Sequence, residues 1–468
     1  MPLSSTSRLP LLLACGGSFL AFIDVTIANL AVPTLATDYP GTGLGTLSWV
    51  VSLYAVVFAA ALAPLGRLAD VLGRRTLFLG GVALFTASSL AAAVAPDVTV
   101  LLVARGLQAL GAAAMIPSSL GIVLAHAAPE RRVAALGWWT ASASVAAVAG
   151  PVVGGLLVDL VSWRALFLVN VPLGALLVAA AFRLPRGDRQ PGRMPDLTGS
   201  LVLGAAVGVV ILAVTEGEDW GWSSPGVVGA LALGAVGLAV VVQRSRRHAV
   251  PALEVSLWRH PTYATANMVS VMFGVAMYSW LLVTTIFLIE TWGYSPLEAG
   301  LAVTPGATAS AVVSIGLSRA ARRPSPRVLV LAGSAALAAS GIWLGLGVPP
   351  EPAYLLWMVP SGLAAGAGIG AVSVGVASAA SLSAPPASFA AATGLNLAAR
   401  QVGGGLGVAA MVALLAAAGT DPVDGTRSVY LMSAVACLAM LGLAPRLRVA
   451  VPPAAPVQVP VAATQDAA

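Results

Sequence analysis

Two charged side chains stand inside long apolar runs: Asp24 within Leu9–Leu35 and Arg105 within Val98–Leu124. If those runs cross a bilayer, each charge costs at least about 2.5–3.5 kcal/mol at the midplane, so each must face a cavity or a partner. Burial raises a carboxylate pKa and a nearby cation lowers it. An acid balanced between the two effects can take up and release a proton, with Arg105 tuning Asp24 by approaching it in one conformation. The competing readings are a static buried pair or, for Arg105 alone, a contact to helix-end carbonyls. Glu216 and Glu290 lie near run ends and read as solvated loop charges, and Arg400 reads as a cation snorkelling to the inner face.

These residues are positioned by a chain with little polar surface. Hydrophobic residues make up 58% of its 468 residues and charged ones only 9%, far below the roughly 25% of a soluble domain. The further apolar runs are Leu47–Leu65, Thr76–Ala95, Val133–Val158, Ala165–Ala181, Leu197–Val214, Pro225–Val242 and Thr262–Ile289. Pro296–Leu317, Val328–Val348, Ala353–Leu382, Ala390–Ala418 and Val429–Leu443 complete a set of fourteen. Most approach or exceed the roughly 20 residues a helical span needs, and backbone groups in lipid must bond within the segment. An all-α polytopic membrane protein follows.

Orientation rests on arginine, since the chain has no lysine. With the N-terminus cytoplasmic, twenty of the 24 arginines fall on the inner side. Only Arg164 and Arg427 fall outside, and Arg105 and Arg400 lie within runs. The outer loops carry acids such as Asp38, Asp97, Asp159, Glu298 and Glu351. This positive-inside pattern predicts fourteen helices with both termini cytoplasmic. The net charge of +6 therefore reports topology and implies no nucleic-acid partner. Trp163, Trp220, Trp222 and Trp292 sit near outer boundaries and are expected as interfacial anchors. Cys15 and Cys437 read as core cysteines, the first run reads as a span and not a cleaved signal, and arginine-only, Ala/Gly-rich usage points to a GC-rich bacterial genome.

Several motifs carry a resemblance. Gly66-x-Leu-Ala-Asp70-x-x-Gly73-Arg74-Arg75 is similar to the loop between helices 2 and 3 of the major facilitator superfamily. Arg105-Gly-Leu-Gln108-Ala-Leu-Gly111 resembles its fourth-helix motif, and Gly150-Pro151-Val-Val-Gly154-Gly155 the fifth-helix motif of its antiporters. The stretches Phe22–Pro33, Trp163–Gly174 and Gly293–Gly300 resemble its fourteen-helix drug:proton antiporter branch, as does the late stretch Gly394–Gly404 with Arg400 and Gln401. Val71 replaces a usual base, Ala146 a frequent glycine, and the second-half counterpart at Arg319–Arg327 lacks the Gly and Asp.

The resemblance implies two six-helix halves, residues 1–182 and 262–446. A linker with two additional helices spans residues 183–261, and an Ala/Pro-rich disordered tail residues 447–468. It implies a proton-coupled multidrug exporter in the cell membrane, working by alternating access on small amphipathic drugs, dyes or antibiotics, with no cofactor or metal and as a monomer. Asp24 and Arg105 are the expected proton-coupling pair. Gly66, Asp70, Gly73, Arg74 and Arg75 are the expected conformational latch, and Gly150, Pro151, Gly154 and Gly155 the antiporter motif. Asn29, Tyr54, Gln108, Tyr278, Trp280 and Asn396 are candidates for the substrate cavity, where an acid would suit a lipophilic cation. The alternatives are a dedicated exporter of a metabolite or siderophore, an importer on the same fold, or a lipid enzyme. His126, His248 and His260 have no ligand-like spacing for the last of these.

Overall fold

The computed structural model describes residues 5–126, 132–184, 194–253, 255–319, 324–383, 389–419 and 422–448. The fourteen long helices are α1 (Ser5–Asp38), α2 (Leu44–Leu72), α3 (Arg74–Ala93), α4 (Val98–His126), α5 (Arg132–Leu160), α6 (Arg164–Ala181) and α7 (Leu197–Thr215). They continue as α8 (Pro225–Ser245), α9 (Pro261–Ile286), α10 (Pro296–Arg319), α11 (Pro326–Gly347), α12 (Tyr354–Leu382), α13 (Phe389–Ala417) and α14 (Pro422–Leu443). Thirteen have an apolar stretch long enough to cross a bilayer, and the 29-residue α5 carries the shorter stretch Val148–Leu160. The chain is an all-α, multi-pass membrane protein.

Helix ends depart from the apolar runs where polar residues prolong a helix into water. The segment expected as a ten-residue loop at 66–75 is helical except for Gly73, whose φ of 96° joins α2 directly to α3. That left-handed backbone is open to glycine at little cost. α14 begins at Pro422, seven residues before its apolar run, and takes Asp424 and Arg427 into its first turns. α9 runs into a π turn at Phe287–Thr291.

Packing repeats with a shift of eight helices. α1 packs on α5 as α9 does on α13, and α3 packs on α4 as α11 does on α12. The pairs α2–α4 and α3–α6 recur as α10–α12 and α11–α14. Helices α5 and α10 meet across the molecule, and so do α2 and α13, each contact being the image of the other under the same shift. The hairpin α7–α8 stands outside this repeat. α7 covers the α2–α13 seam through Val207 and Ile211 against Val56 and Ala409. α8 packs mainly on α7 and is otherwise exposed along its length.

The hairpin is tied at its arginine-rich end, called inner below. Asp196 caps α7 by accepting from the Gly199 amide at 2.8 Å, and its two oxygens accept from Arg244 Nε of α8, each at 2.8 Å. Burial pushes the Asp196 carboxyl up, but the Gly199 amide and the Arg244 guanidinium outweigh it and hold it below the usual carboxylate range. A depressed carboxylate contributes stability that is present above its unfolded pKa and lost as pH falls through the folded value. Asp196→Ala is therefore expected to cost about 1–2 kcal/mol at pH 7. Most of that is the cap, because Arg244 is 41% exposed and its ion pair is screened. The deficit should shrink below about pH 4, read by thermal unfolding of the purified protein across pH.

Two tryptophans differ from expectation. Trp220 and Trp222 are exposed at the outer end, but Trp163 and Trp292 are buried. Trp163 Nε1 donates to Asp38 Oδ2 at 2.8 Å and Trp292 Nε1 to the Pro349 carbonyl at 3.0 Å. Proximity to a boundary is visible in sequence, but the direction a ring takes there is set by its partner.

Candidate functional site

Asp24 lies about 4 Å from the midpoint of α1, counted at 1.5 Å per residue. It is fully buried, and its carboxylate is surrounded by donors from α4 and α6. Arg105 Nη1 donates to Asp24 Oδ2 at 2.7 Å, and Gln108 Nε2 and Asn170 Nδ2 both donate to Oδ1 at 2.8 Å. Arg105 and Gln108 reach one acceptor because residues three apart share a helix face. Arg105 also donates from Nη1 to Gln108 Oε1 at 2.6 Å and from Nε to the Val50 carbonyl of α2 at 2.9 Å. Gln108 Nε2 further donates to Ser89 Oγ of α3 at 2.8 Å. The Tyr54 ring lies 4.5 Å from the guanidinium carbon and Phe167 lies 5.6 Å from it.

Five helices thus converge on one ion pair with 1% exposure on the arginine and none on the aspartate. The pair is net neutral and its acceptors are well supplied, which suits charges held out of water. Protonating Asp24 would remove the partner charge from Arg105 and leave a buried cation. Any event that separates α1 from α4 would likewise leave Arg105 without its partner charge.

The structure brings Asp24, Arg105, Gln108 and Tyr54 together. Gln108, expected at the substrate, has both ends of its amide engaged by this network. Tyr278 and Asn396 gather on α9 and α13 instead. The Tyr278 hydroxyl donates to Gln401 Oε1, and Asn396 Nδ2 lies 3.3 Å from the Ala266 carbonyl and 3.5 Å from Asn267 Oδ1. Asn29 and Trp280 are buried apart from both groups, with Asn29 Oδ1 and Trp280 Nε1 unpartnered. Asn170 stands in the Trp163–Gly174 stretch but no role was expected of it, and Ser89 was not singled out from sequence. The signal available was the same as for Asp24, a polar residue inside an apolar run.

The glycine motif divides between two neighbours. A Cβ on Gly154 would stand 2.7 Å from Leu30 Cδ1, and one on Gly150 would meet Thr26, both on α1. Gly155 instead faces α10, where a Cβ would stand 2.5 Å from the Pro296 carbonyl oxygen and 2.8 Å from Leu297 Cα. Gly300 faces back, and a Cβ there would strike the Pro151 carbonyl. Two stretches singled out separately in the sequence, Gly150–Gly155 and Gly293–Gly300, therefore meet backbone to backbone in the outer third of the bundle.

Arg74 and Arg75 are anchored within helices α1–α6. Arg74 Nη1 donates to the Gly121 carbonyl of α4 at 3.0 Å, in space that a Cβ on Gly121 would occupy. Arg75 donates to the Ala181 and Phe182 carbonyls, at 3.2 and 2.9 Å, at the C-terminal end of α6. A cation at a helix C-terminus satisfies orphan carbonyls and the helix dipole. Gly66 lies within α2 beside Pro117 of α4. The side chain of Asp70 is outside the described residues. Arg75→Ala is expected to lower stability by about 1 kcal/mol, measurable as a reduced thermal midpoint. At the outer end, Arg164 pairs with Asp38 at 2.7 Å and Arg427 with Asp424 at 3.4 Å, so both arginines outside the positive-inside pattern have carboxylate partners.

A repeat of six helices shifted by eight, with a buried charge network in one half, is matched by a sequence family. The profile of the Major Facilitator Superfamily covers residues 14–408. The chain belongs to that superfamily. The transporter is 36% identical over 415 residues to the multidrug resistance protein Stp of Mycobacterium tuberculosis, covering 88% of this chain and 76% of Stp. It is 33% identical to the cephamycin export protein CmcT of Amycolatopsis lactamdurans, with 87% and 85% of the two chains covered. It is 32% identical to the methylenomycin A resistance protein of Streptomyces coelicolor, covering 85% and 84%. Among solved structures, a POT family transporter in complex with a thioalcohol-conjugated peptide superposes with a TM-score of 0.71 at 16% identity, covering 93% and 96%. That likeness establishes the fold. The transporter is a multi-pass cell-membrane protein and not an enzyme.

Proposed function

We propose that this transporter exports small amphipathic drugs, dyes or antibiotics in exchange for protons, by alternating access between the halves at residues 1–182 and 262–446. One observation carries the coupling: Asp24 is fully buried and its charge is answered by Arg105 at 2.7 Å, so its protonation changes the balance holding α1, α4 and α6 together. A proton taken from outside weakens that junction, and its release inside restores it. The relatives named for multidrug resistance and antibiotic export support the cargo class and the direction.

The Gly155–Gly300 contact supports the mechanical part. It shuts the α5–α10 seam in the outer third, whereas Gly316, near the inner end of α10, has nothing within 4 Å of a Cβ among the described residues. Opening outward would separate α5 from α10 and close the opposite end. Gly66, Asp70, Gly73, Arg74 and Arg75 act at that inner end, with Arg74 and Arg75 bracing the helix ends that move as one body. Residues 183–261 contribute the α7–α8 hairpin beside the moving halves.

A second reading has its own support. Similarity to the cephamycin export protein supports, as the alternative, a dedicated exporter of one antibiotic. Flux of a panel of dyes and antibiotics into proteoliposomes, with the pH gradient imposed and then reversed, tests both. Gradient-dependent flux of many compounds supports the broad pump, and flux of a single class the dedicated one. Flux indifferent to the gradient for every transported compound would end the proton-coupled reading.

A further inference from the structure

The charge balance inside the transporter does not close. Asp24 and Arg105 cancel one another, which leaves Arg400 on α13. It lies about 5 Å to the inner side of the helix midpoint at 1.5 Å per residue. Among the described residues it forms no ion pair, and its Nε is buried without a partner. The described acids on and beside α9–α14, namely Glu290, Glu298, Glu351 and Asp424, all sit at the outer end. Arg400 as a whole is only partly buried, so its terminal nitrogens retain access to open space. An uncompensated guanidinium within the span costs at least about 2.5 kcal/mol until something supplies the opposite charge.

Polar side chains stand near it on α9 and α13. Asn396, four residues before Arg400, lies on the same face of α13. Tyr278 of α9 donates through its hydroxyl to Gln401, the residue next to Arg400. Each half thus holds an arginine within its span, but among the described residues only Arg105 has a carboxylate partner. Asp24, which a lipophilic cation would need, already accepts three hydrogen bonds.

We propose that Arg400 is a cargo-binding residue, and that the preferred cargo is an aromatic or apolar molecule bearing a carboxylate. A planar guanidinium matches a carboxylate in two parallel hydrogen bonds, and the apolar span around Arg400 suits the body of the molecule. This inference rests on the transporter reading and names the substrate class of its central site.

The test uses rhodamine B, which carries a carboxylate, and its ethyl ester, which does not. Binding to the full-length protein in nanodiscs is read by fluorescence anisotropy. The wild type is expected to bind the acid about tenfold or more tighter than the ester, the range of a charge-assisted hydrogen bond. Arg400→Gln removes that preference and Arg400→Lys keeps part of it. Equal binding of acid and ester by the wild type overturns the inference even if Arg400→Gln does not fold. A preference that survives in folded Arg400→Gln overturns it as well. Flux of the same dyes in proteoliposomes separates the two claims: acid preference without gradient-driven flux sinks the proton-coupled reading alone. Driven flux without acid preference sinks the carboxylate assignment alone.

Discussion

Asp24→Asn is expected to reduce proton-driven dye transport in proteoliposomes to the level of protein-free vesicles, while dye exchange without a gradient persists. Asparagine keeps the shape of the side chain and one acceptor oxygen but binds no proton at working pH. The substitution also strands Arg105, and removing one member of a buried pair typically costs about 3–5 kcal/mol. A simple loss of folded protein would imitate loss of coupling, so stability must be measured alongside. Asp24→Glu retains a titrating carboxylate and should keep driven transport in part. The double variant Asp24→Asn with Arg105→Gln removes both charges and should recover thermal stability toward wild type without recovering driven transport. Recovery of both would show the pair to be structural only, and full driven transport by Asp24→Asn alone would remove Asp24 from the coupling path.

Gly300→Leu should shift the transporter toward its outward-open arrangement. A Cβ there strikes the Pro151 carbonyl, with the carbonyl carbon at 2.9 Å, and neither belongs to a flexible side-chain end. Overpacking of this kind costs about 1–3 kcal/mol, and here the cost falls only on the state in which α5 and α10 touch. That range corresponds to a shift of about five- to 150-fold in the ratio of the two states. The readout is maleimide labelling from the outer face at Leu297→Cys, in a background with Cys15 and Cys437 replaced. Labelling should rise and net transport fall. Gly154→Ala is the internal control. Although adjacent to Gly155 in sequence, Gly154 faces Leu30 and Ile27 of α1, so it should leave labelling unchanged. Unaltered labelling in Gly300→Leu would show that this contact does not report on the outer gate.

Much of the architecture was legible because a bilayer leaves the chain few options. Backbone polar groups in hydrocarbon must bond locally, so apolar runs become helices, and arginines mark one side. The apolar runs correspond one to one with α1–α14, and Asp24 and Arg105 were conspicuous because charge inside such runs demands a partner. What hydropathy could not locate was the end of a helix in water, as at Pro422, or a joint as tight as Gly73, where the polar pattern of a loop and of a helix end look alike.

By itself the sequence determined the all-helical multi-pass architecture and the family, and it marked the few polar residues inside the spans, since each follows from local composition and motif against a uniform apolar background. Only the tertiary structure decided which of those residues meet. Asn170 joins Asp24 across 146 positions of chain, Gly155 and not Gly154 touches the opposite half, and among the described residues Arg400 lacks the carboxylate that Arg105 has. Partnership depends on the rotation and depth of each helix against its neighbours. Those are set by side-chain packing between segments far apart in sequence, which no local pattern encodes.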